Sequence, residues 1–146
     1  MATFRYNFAI FRRKLRLGDF LRFILLNYIS FDIIQPMKTL TFLGDSLTCI
    51  RDFPDDMKQA AGYQLHRVQC GEMPNDFKIM TTVGSGVVEI RLKDETGIYR
   101  VMYVAKFGDA VYVLHAFQKK TQRTAKPDLD VAKRRYLALI QELNHG

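Results

Sequence analysis

Hydrophobic and polar residues alternate along four segments of the chain, which is the pattern of strands with one buried face. The segments are 39–43, 87–92, 98–105 and 111–117. Turn residues separate the last three, since Asp94–Gly97 predicts a hairpin turn and Phe107–Asp109 a second turn. In the last strand we expect Val111, Val113, His115 and Phe117 to share one face.

Apolar residues at helical spacing predict three helices. The first begins at Asp45 or Ser46 and ends near Asp52, and the second runs from Asp55 to Cys70. Asp128 is expected to cap a terminal helix with an apolar stripe formed by Leu129, Ala132, Tyr136, Leu139, Ile140 and Leu143. Residues 71–86 contain Pro and Gly and are expected to form mostly loop. The predicted order is β-α-α-β-β-β-α.

The first 36 residues differ from the rest in charge and apolar content. They contain six Lys and Arg against two acidic residues, and six Phe. The apolar stretch 20–34 includes Arg22, Asn27 and Asp32, so it is too short and too polar for a transmembrane helix. We expect residues 1–36 to be an extension that either results from a mis-called start or is dispensable, and residues 37–146 to form the domain. Two alternatives remain: residues 1–36 form a helix that binds a partner or a membrane surface, or they are a true part of the fold.

The bulk composition is that of one globular domain with a polyanionic partner. The chain has 146 residues, is 48% hydrophobic and carries a net charge of +7, which favours phosphate-rich partners. Cys49 and Cys70 show no metal-ligand spacing, and two thiols suit a reducing, cytoplasmic compartment. The three histidines are far apart in sequence, so we expect no metal site and no cofactor. Nucleotide-binding glycine motifs and the nucleophile elbow are missing from the sequence.

Cationic side chains concentrate on or beside the three predicted C-terminal strands. They are Arg91, Lys93, Arg100, Lys119, Lys120 and Arg123. Arg and Lys placed in advance stabilise the extra negative charge of the phosphorane formed when an RNA 2′-hydroxyl attacks its neighbouring phosphate. Each cation also has an ordinary interpretation as a solvated surface residue. Arg100 interrupts an apolar strand, so it either pairs with an acid such as Glu89 or is reserved for a ligand. His115 is either a core residue or an acid/base candidate.

Several runs of residues resemble the RelE/HigB-type toxins of bacterial toxin–antitoxin modules, in their phage-derived branch. The runs are AGYQLHRVQ (61–69), VVEIR (87–91), GIYRVMYVAKF (97–107), VYVLHAFQKKTQRT (111–124) and DLDVAKRRY (128–136). The resemblance implies a small α+β fold with an antiparallel sheet and helices packed on one face. It also implies a ribosome-dependent mRNA endonuclease that needs no metal, and a helix-turn-helix antitoxin as partner.

The resemblance also assigns roles to individual residues. Arg91 matches a basic strand position that contacts phosphate, Arg100 the transition-state arginine, and Lys119 a basic catalytic residue after the last strand. Apart from the resemblance, the residues themselves make His115 the acid/base candidate, and Lys93, Lys120 and Arg123 are expected to bind RNA. Glu89 stands where some members have a second basic residue. Two alternatives remain open: a gyrase-poisoning toxin of the same fold, or an inactive nucleic-acid or antitoxin binder.

Overall fold

The structure, a computed structural model, describes residues 36–146 and the backbone of Ala2–Phe4. The strands are β1 (Ala2–Phe4), β2 (Thr39–Phe42), β3 (Phe77–Ile79), β4 (Val87–Asp94), β5 (Gly97–Val104) and β6 (Ala110–Lys119). The helices are α1 (Ser46–Arg51), α2 (Asp55–Gln69) and α3 (Lys126–His145). The expected α+β fold class is confirmed. The expectation that residues 1–36 are an extension lies almost entirely outside the described residues.

The strands form one mixed sheet in the order β1-β2-β6-β5-β4-β3. Neighbours are antiparallel except β2 and β6, which run parallel, with Thr39 beside Ala110 and Phe42 beside Val113. The expected all-antiparallel arrangement therefore fails for this one pair. The chain leaves β2 through two helices and three strands before β6, so no hairpin fixes the direction of the pairing.

Helices cover both faces of the sheet, rather than the single face expected from the resemblance. Helices α1 and α2 pack with Phe42, Ile90 and Val101, whereas α3 packs with Val87 and Met102 on the opposite face. Both faces need cover because β4, β5 and β6 have consecutive buried apolar residues, which place a hydrophobic side chain on each side of the sheet.

A β-bulge in β6 changes which face its last residues occupy. Tyr103 pairs with Val113 but Met102 pairs with His115, so Leu114 is an extra residue in β6. Val111 and Val113 point towards α1 and α2, while His115 and Phe117 point towards the α3 side. The prediction that these four residues share a face is wrong for this reason, because one inserted residue reverses the alternation beyond it.

The segment 71–86 is mostly loop, as expected, and also contains the short strand β3, whose residues are exposed at the edge of the sheet. One local prediction differs from the structure. Helix α3 begins at Lys126, so Asp128 lies in its first turn instead of capping it. An acid in the first turn is still favourable there because of the helix dipole. None of the described helices has the length and apolar character needed to cross a membrane.

Candidate functional site

Three rows of residues across β4, β5 and β6 form the α3-side face of the sheet around the predicted site. The register places Glu89 beside Met102 and His115, Arg91 beside Arg100 and Phe117, and Lys93 beside Ile98 and Lys119. Residues directly opposite each other in paired strands project to the same face. The structure therefore gathers Arg91, Lys93, Arg100 and Lys119 onto one surface, which continues past the N-terminal end of α3.

Arg100 is the buried cation of this surface, with only 8% of its area exposed. Its Nη1 donates to the carbonyl oxygen of Tyr99 at 2.9 Å and more weakly to that of Leu92 at 3.4 Å. These two carbonyls fix the plane of the guanidinium. Burial lowers the pKa of Arg100, and the negative charge of Glu89 opposes that shift.

Glu89 lies between the two arginines and is 2% exposed. Its Oε1 lies 3.4 Å from Nε of Arg100 and 3.8 Å from Nε of Arg91, and Oε2 accepts a hydrogen bond from the Thr124 hydroxyl at 3.3 Å. The two Nε atoms lie within ion-pair range of the carboxylate, yet neither makes a hydrogen bond within residues 36–146. Sequence reasoning named Glu89 as a possible partner of Arg100 but missed that it serves both arginines.

A shallow cavity of about 200 Å³ opens at this arginine pair. Its lining residues are Asp76, Arg91, Leu92, Lys93, Ile98 and Arg100. The backbone carbonyl of Asp76 accepts a 2.9 Å hydrogen bond from the amide of Arg91, which holds the loop before β3 against the middle of β4. Three cations and one carboxylate therefore surround a space that is large enough for a phosphate group.

The remaining predicted cations lie at the rim of this surface. Lys119 is half-buried at the end of β6, while Lys120 and Arg123 are exposed in the loop 120–125. Within the described part of the chain, none of these three, nor Lys93, forms an ion pair. Thr124 in the same loop reaches Glu89, so the loop is anchored to the arginine pair.

His115 lies apart from the arginine cavity, although it shares their face of the sheet. Its Nε2 is 2.9 Å from Oδ1 of Asp128 on α3, and its ring stacks on that of Phe117. It lines a separate cavity of about 480 Å³ together with Cys49, Phe53 and Tyr99. The acid/base role expected for His115 stays a prediction, because the structure does not bring this imidazole into the cavity of Arg91 and Arg100.

A second cluster of polar groups joins α1 to α3 near His115. Nη2 of Arg135 lies 2.6 Å from Oδ1 of Asp45, and Nη1 donates to the carbonyl oxygen of Leu114 at the bulge. The Arg135 guanidinium holds the pKa of Asp45 below its usual range. Burial raises the pKa of the Cys49 thiol, and Asp45 adds to that effect. Cys49 and Cys70 are both free thiols.

The fold and the site together define a small α+β protein that presents an arginine-lined, phosphate-sized cavity on one sheet. Residues 48–137 match a family described as phage derived protein Gp49-like (DUF891). Because the match covers more than half of the chain, the protein belongs to this Gp49-like family. The matched segment includes all the predicted site residues. Among curated proteins, none matches the chain.

Proposed function

We propose that the protein is the toxin of a type II toxin–antitoxin module, of the RelE/HigB type, and that it cleaves mRNA on the ribosome. The Gp49-like family is associated with RelE-like, toxin-like proteins, which supports this class. The expected partners are translated mRNA and a helix-turn-helix antitoxin, and the expected compartment is the cytoplasm. The runs around Arg91, Arg100 and Lys119 support the finer assignment.

The observation that carries this proposal is the Arg91–Arg100 pair. The two arginines face each other on adjacent strands and line one cavity with Lys93. Both Nε atoms are buried beside Glu89, whose Oε1 lies within 4 Å of each and holds the two guanidinium groups together. Three cations that line one phosphate-sized cavity suit an anion with several oxygens, such as a phosphodiester.

In the proposed reaction the 2′-oxygen of the RNA forms a bond to the adjacent phosphorus, and the bond from phosphorus to the 5′-oxygen breaks. The 2′-hydroxyl loses its proton, and the leaving 5′-oxygen gains one. Arg91 and Arg100 donate to the non-bridging oxygens, whose negative charge grows in the transition state. One such donor contributes about 3–4 kcal/mol when it acts mainly there. Lys119, Lys120 and Arg123 hold flanking phosphates at the rim.

The test is induction of the full-length chain in a bacterial host, with the 5′ ends of a reporter mRNA mapped before and after induction. Arg100→Ala is compared with Lys58→Ala, which removes an α2 cation paired to Asp55 at 3.0 Å. We expect cuts within translated regions for the wild type and Lys58→Ala, and none for Arg100→Ala. Co-expression of the neighbouring antitoxin gene should restore growth.

The other outcomes point to the two alternatives. Growth arrest and DNA damage with intact mRNA would identify a gyrase poison, and harmless expression would identify an inactive binder. The chemistry is tested with programmed ribosomes and purified protein. We expect 2′,3′-cyclic phosphate or 3′-phosphate ends, and cleavage that persists when EDTA is added with the ribosome kept intact. Products with 5′-phosphate and 3′-hydroxyl ends would contradict the proposed mechanism.

A further inference from the structure

Three metal-ligand side chains from two segments, the start of α1 and strand β6, meet beside the edge of β6. They are the carboxylate of Asp45, the thiol of Cys49 and the imidazole of His115, and one ligand atom from each lies within 4.8 Å of the others. Asp45 and Cys49 are four residues apart at the start of α1, with the amide of Cys49 bonded to the carbonyl of Asp45 at 2.9 Å. This spacing places both side chains on one side of the helix.

His115 is oriented as a metal ligand would be. Its Nε2 lies 2.9 Å from the Asp128 carboxylate, and its Nδ1 is buried without a hydrogen-bond partner in residues 36–146. When Nε2–H donates to the carboxylate, Nδ1 carries the free lone pair. A carboxylate that fixes the far nitrogen of an imidazole is the usual outer partner of a ligating histidine. The buried Nδ1 is an acceptor that the described protein leaves unsatisfied.

The charges around the cluster suit a divalent cation. Asp45 and a Cys49 thiolate supply two negative charges, and Arg135, whose Nη2 lies 2.6 Å from Oδ1 of Asp45, offsets one of them while it orients the carboxylate. A donor set of one nitrogen, one sulfur and one oxygen suits Zn²⁺, whereas Mg²⁺ and Ca²⁺ require oxygen ligands.

We propose that Asp45, Cys49 and His115 bind one Zn²⁺ ion, which cross-links α1 to β6, with Asp128 as the outer partner of His115. Cys49 and His115 also line the cavity of about 480 Å³ described above. A zinc ion with three protein ligands keeps a fourth position for water, and this cavity gives water access to it. The site shares no residue with the arginine cavity, so the zinc proposal does not rest on the proposed endonuclease activity, but a zinc-bound His115 would not serve as the acid/base group expected from the sequence.

The experiment measures metal binding by the purified full-length chain after chelator treatment. Zinc chloride is titrated by competition with a chromophoric chelator, and Co²⁺ is added separately as a spectroscopic probe. We expect one ion per chain, a thiolate-to-cobalt charge-transfer band, and a rise in Tm with Zn²⁺ because the ion binds only the folded state. Cys49→Ser should abolish the band. Asp128→Asn should keep the band but weaken Zn²⁺ affinity about ten- to a hundredfold.

Cys70→Ser is the matched control. Cys70 is an exposed thiol whose Sγ lies 3.8 Å from Nε2 of His66 on α2, which makes a competing two-ligand pair. We expect this variant to bind Zn²⁺ and Co²⁺ as the wild type does. Loss of the band in Cys70→Ser, or Zn²⁺ affinity unchanged in Cys49→Ser, would overturn the proposal. Circular dichroism of the metal-free variants establishes that each is folded.

Discussion

Arg91 and Arg100 lie directly opposite each other on β4 and β5, and one buried carboxylate, that of Glu89, lies within 4 Å of the Nε atoms of both. Two like charges at this position of an antiparallel pair repel each other. Glu89 offsets that repulsion from the same face of the sheet. Glu89 therefore holds the two arginines together where both line the cavity.

Replacement of Glu89 by glutamine should destabilise the fold strongly. The variant keeps the size of the side chain but leaves the buried Arg100 without its counter-charge. Removal of one partner from a buried ion pair costs about 3–5 kcal/mol. The free energy of unfolding, measured by urea denaturation and circular dichroism, should fall by about this amount.

Glu72→Gln is the control for that measurement. Glu72 pairs with Arg67 at 2.8 Å, but 54% of its side chain is exposed. Exposed ion pairs contribute about 0–1 kcal/mol, so this variant should unfold almost as the wild type does. Equal losses in Glu89→Gln and Glu72→Gln would mean that the buried carboxylate is not what holds the arginines.

Arg100→Lys tests whether the shape of the guanidinium is needed, apart from its charge. The lysine keeps a cation beside Glu89, so the fold should survive, but it loses the planar fork that binds two phosphate oxygens. We expect single-turnover cleavage on programmed ribosomes to slow by about 10²- to 10³-fold. Arg134→Lys changes an exposed residue of α3 in the same way and should cleave normally. Wild-type cleavage by Arg100→Lys would show that charge alone suffices.

Much of this arginine pair was predictable from the sequence. The alternation in 87–92 and 98–105, joined by the Asp94–Gly97 turn, fixes a hairpin, and a hairpin register fixes which residues face each other. Arg91 and Arg100 then fall on one face. The burial of Arg100 and the carboxylate shared by both arginines were not predictable, because Thr124 and Asp76 approach from loops whose paths depend on the tertiary structure.

The position of His115 shows where the pattern stops being informative. The alternation in β6 is continuous in sequence, so it gives no sign of the extra residue at Leu114. The bulge turns His115 towards Asp128 and away from the face expected for it. Its neighbours Asp45 and Cys49 come from α1, which packs beside β6 only in the folded chain. A donor cluster of this kind has no sequence spacing from which it could be recognised.

RNA affinity should depend on salt through the cations at the rim. Each phosphate contact that is lost makes the slope of log K against log salt less negative by about 0.7 for a single strand. Lys119→Gln and Lys120→Gln should each change the slope by about this amount, and Lys58→Gln should leave it unchanged. Fluorescence anisotropy with a 2′-O-methyl RNA, which lacks the attacking hydroxyl, measures binding without cleavage. An unchanged slope in both rim variants would place the RNA elsewhere.

Tyr103 should make the fold sensitive to strongly alkaline pH. It is buried in the core beneath α1 and α2, and burial raises its pKa to about 12, above the ordinary value of about 10. Because the folded state holds this proton more tightly, the associated stability is complete below about pH 10 and is lost as pH rises towards 12. The shift corresponds to roughly 2–3 kcal/mol. Phenolate absorbance of the wild type minus that of Tyr103→Phe should rise near pH 12, and a step near pH 10 would contradict this assignment.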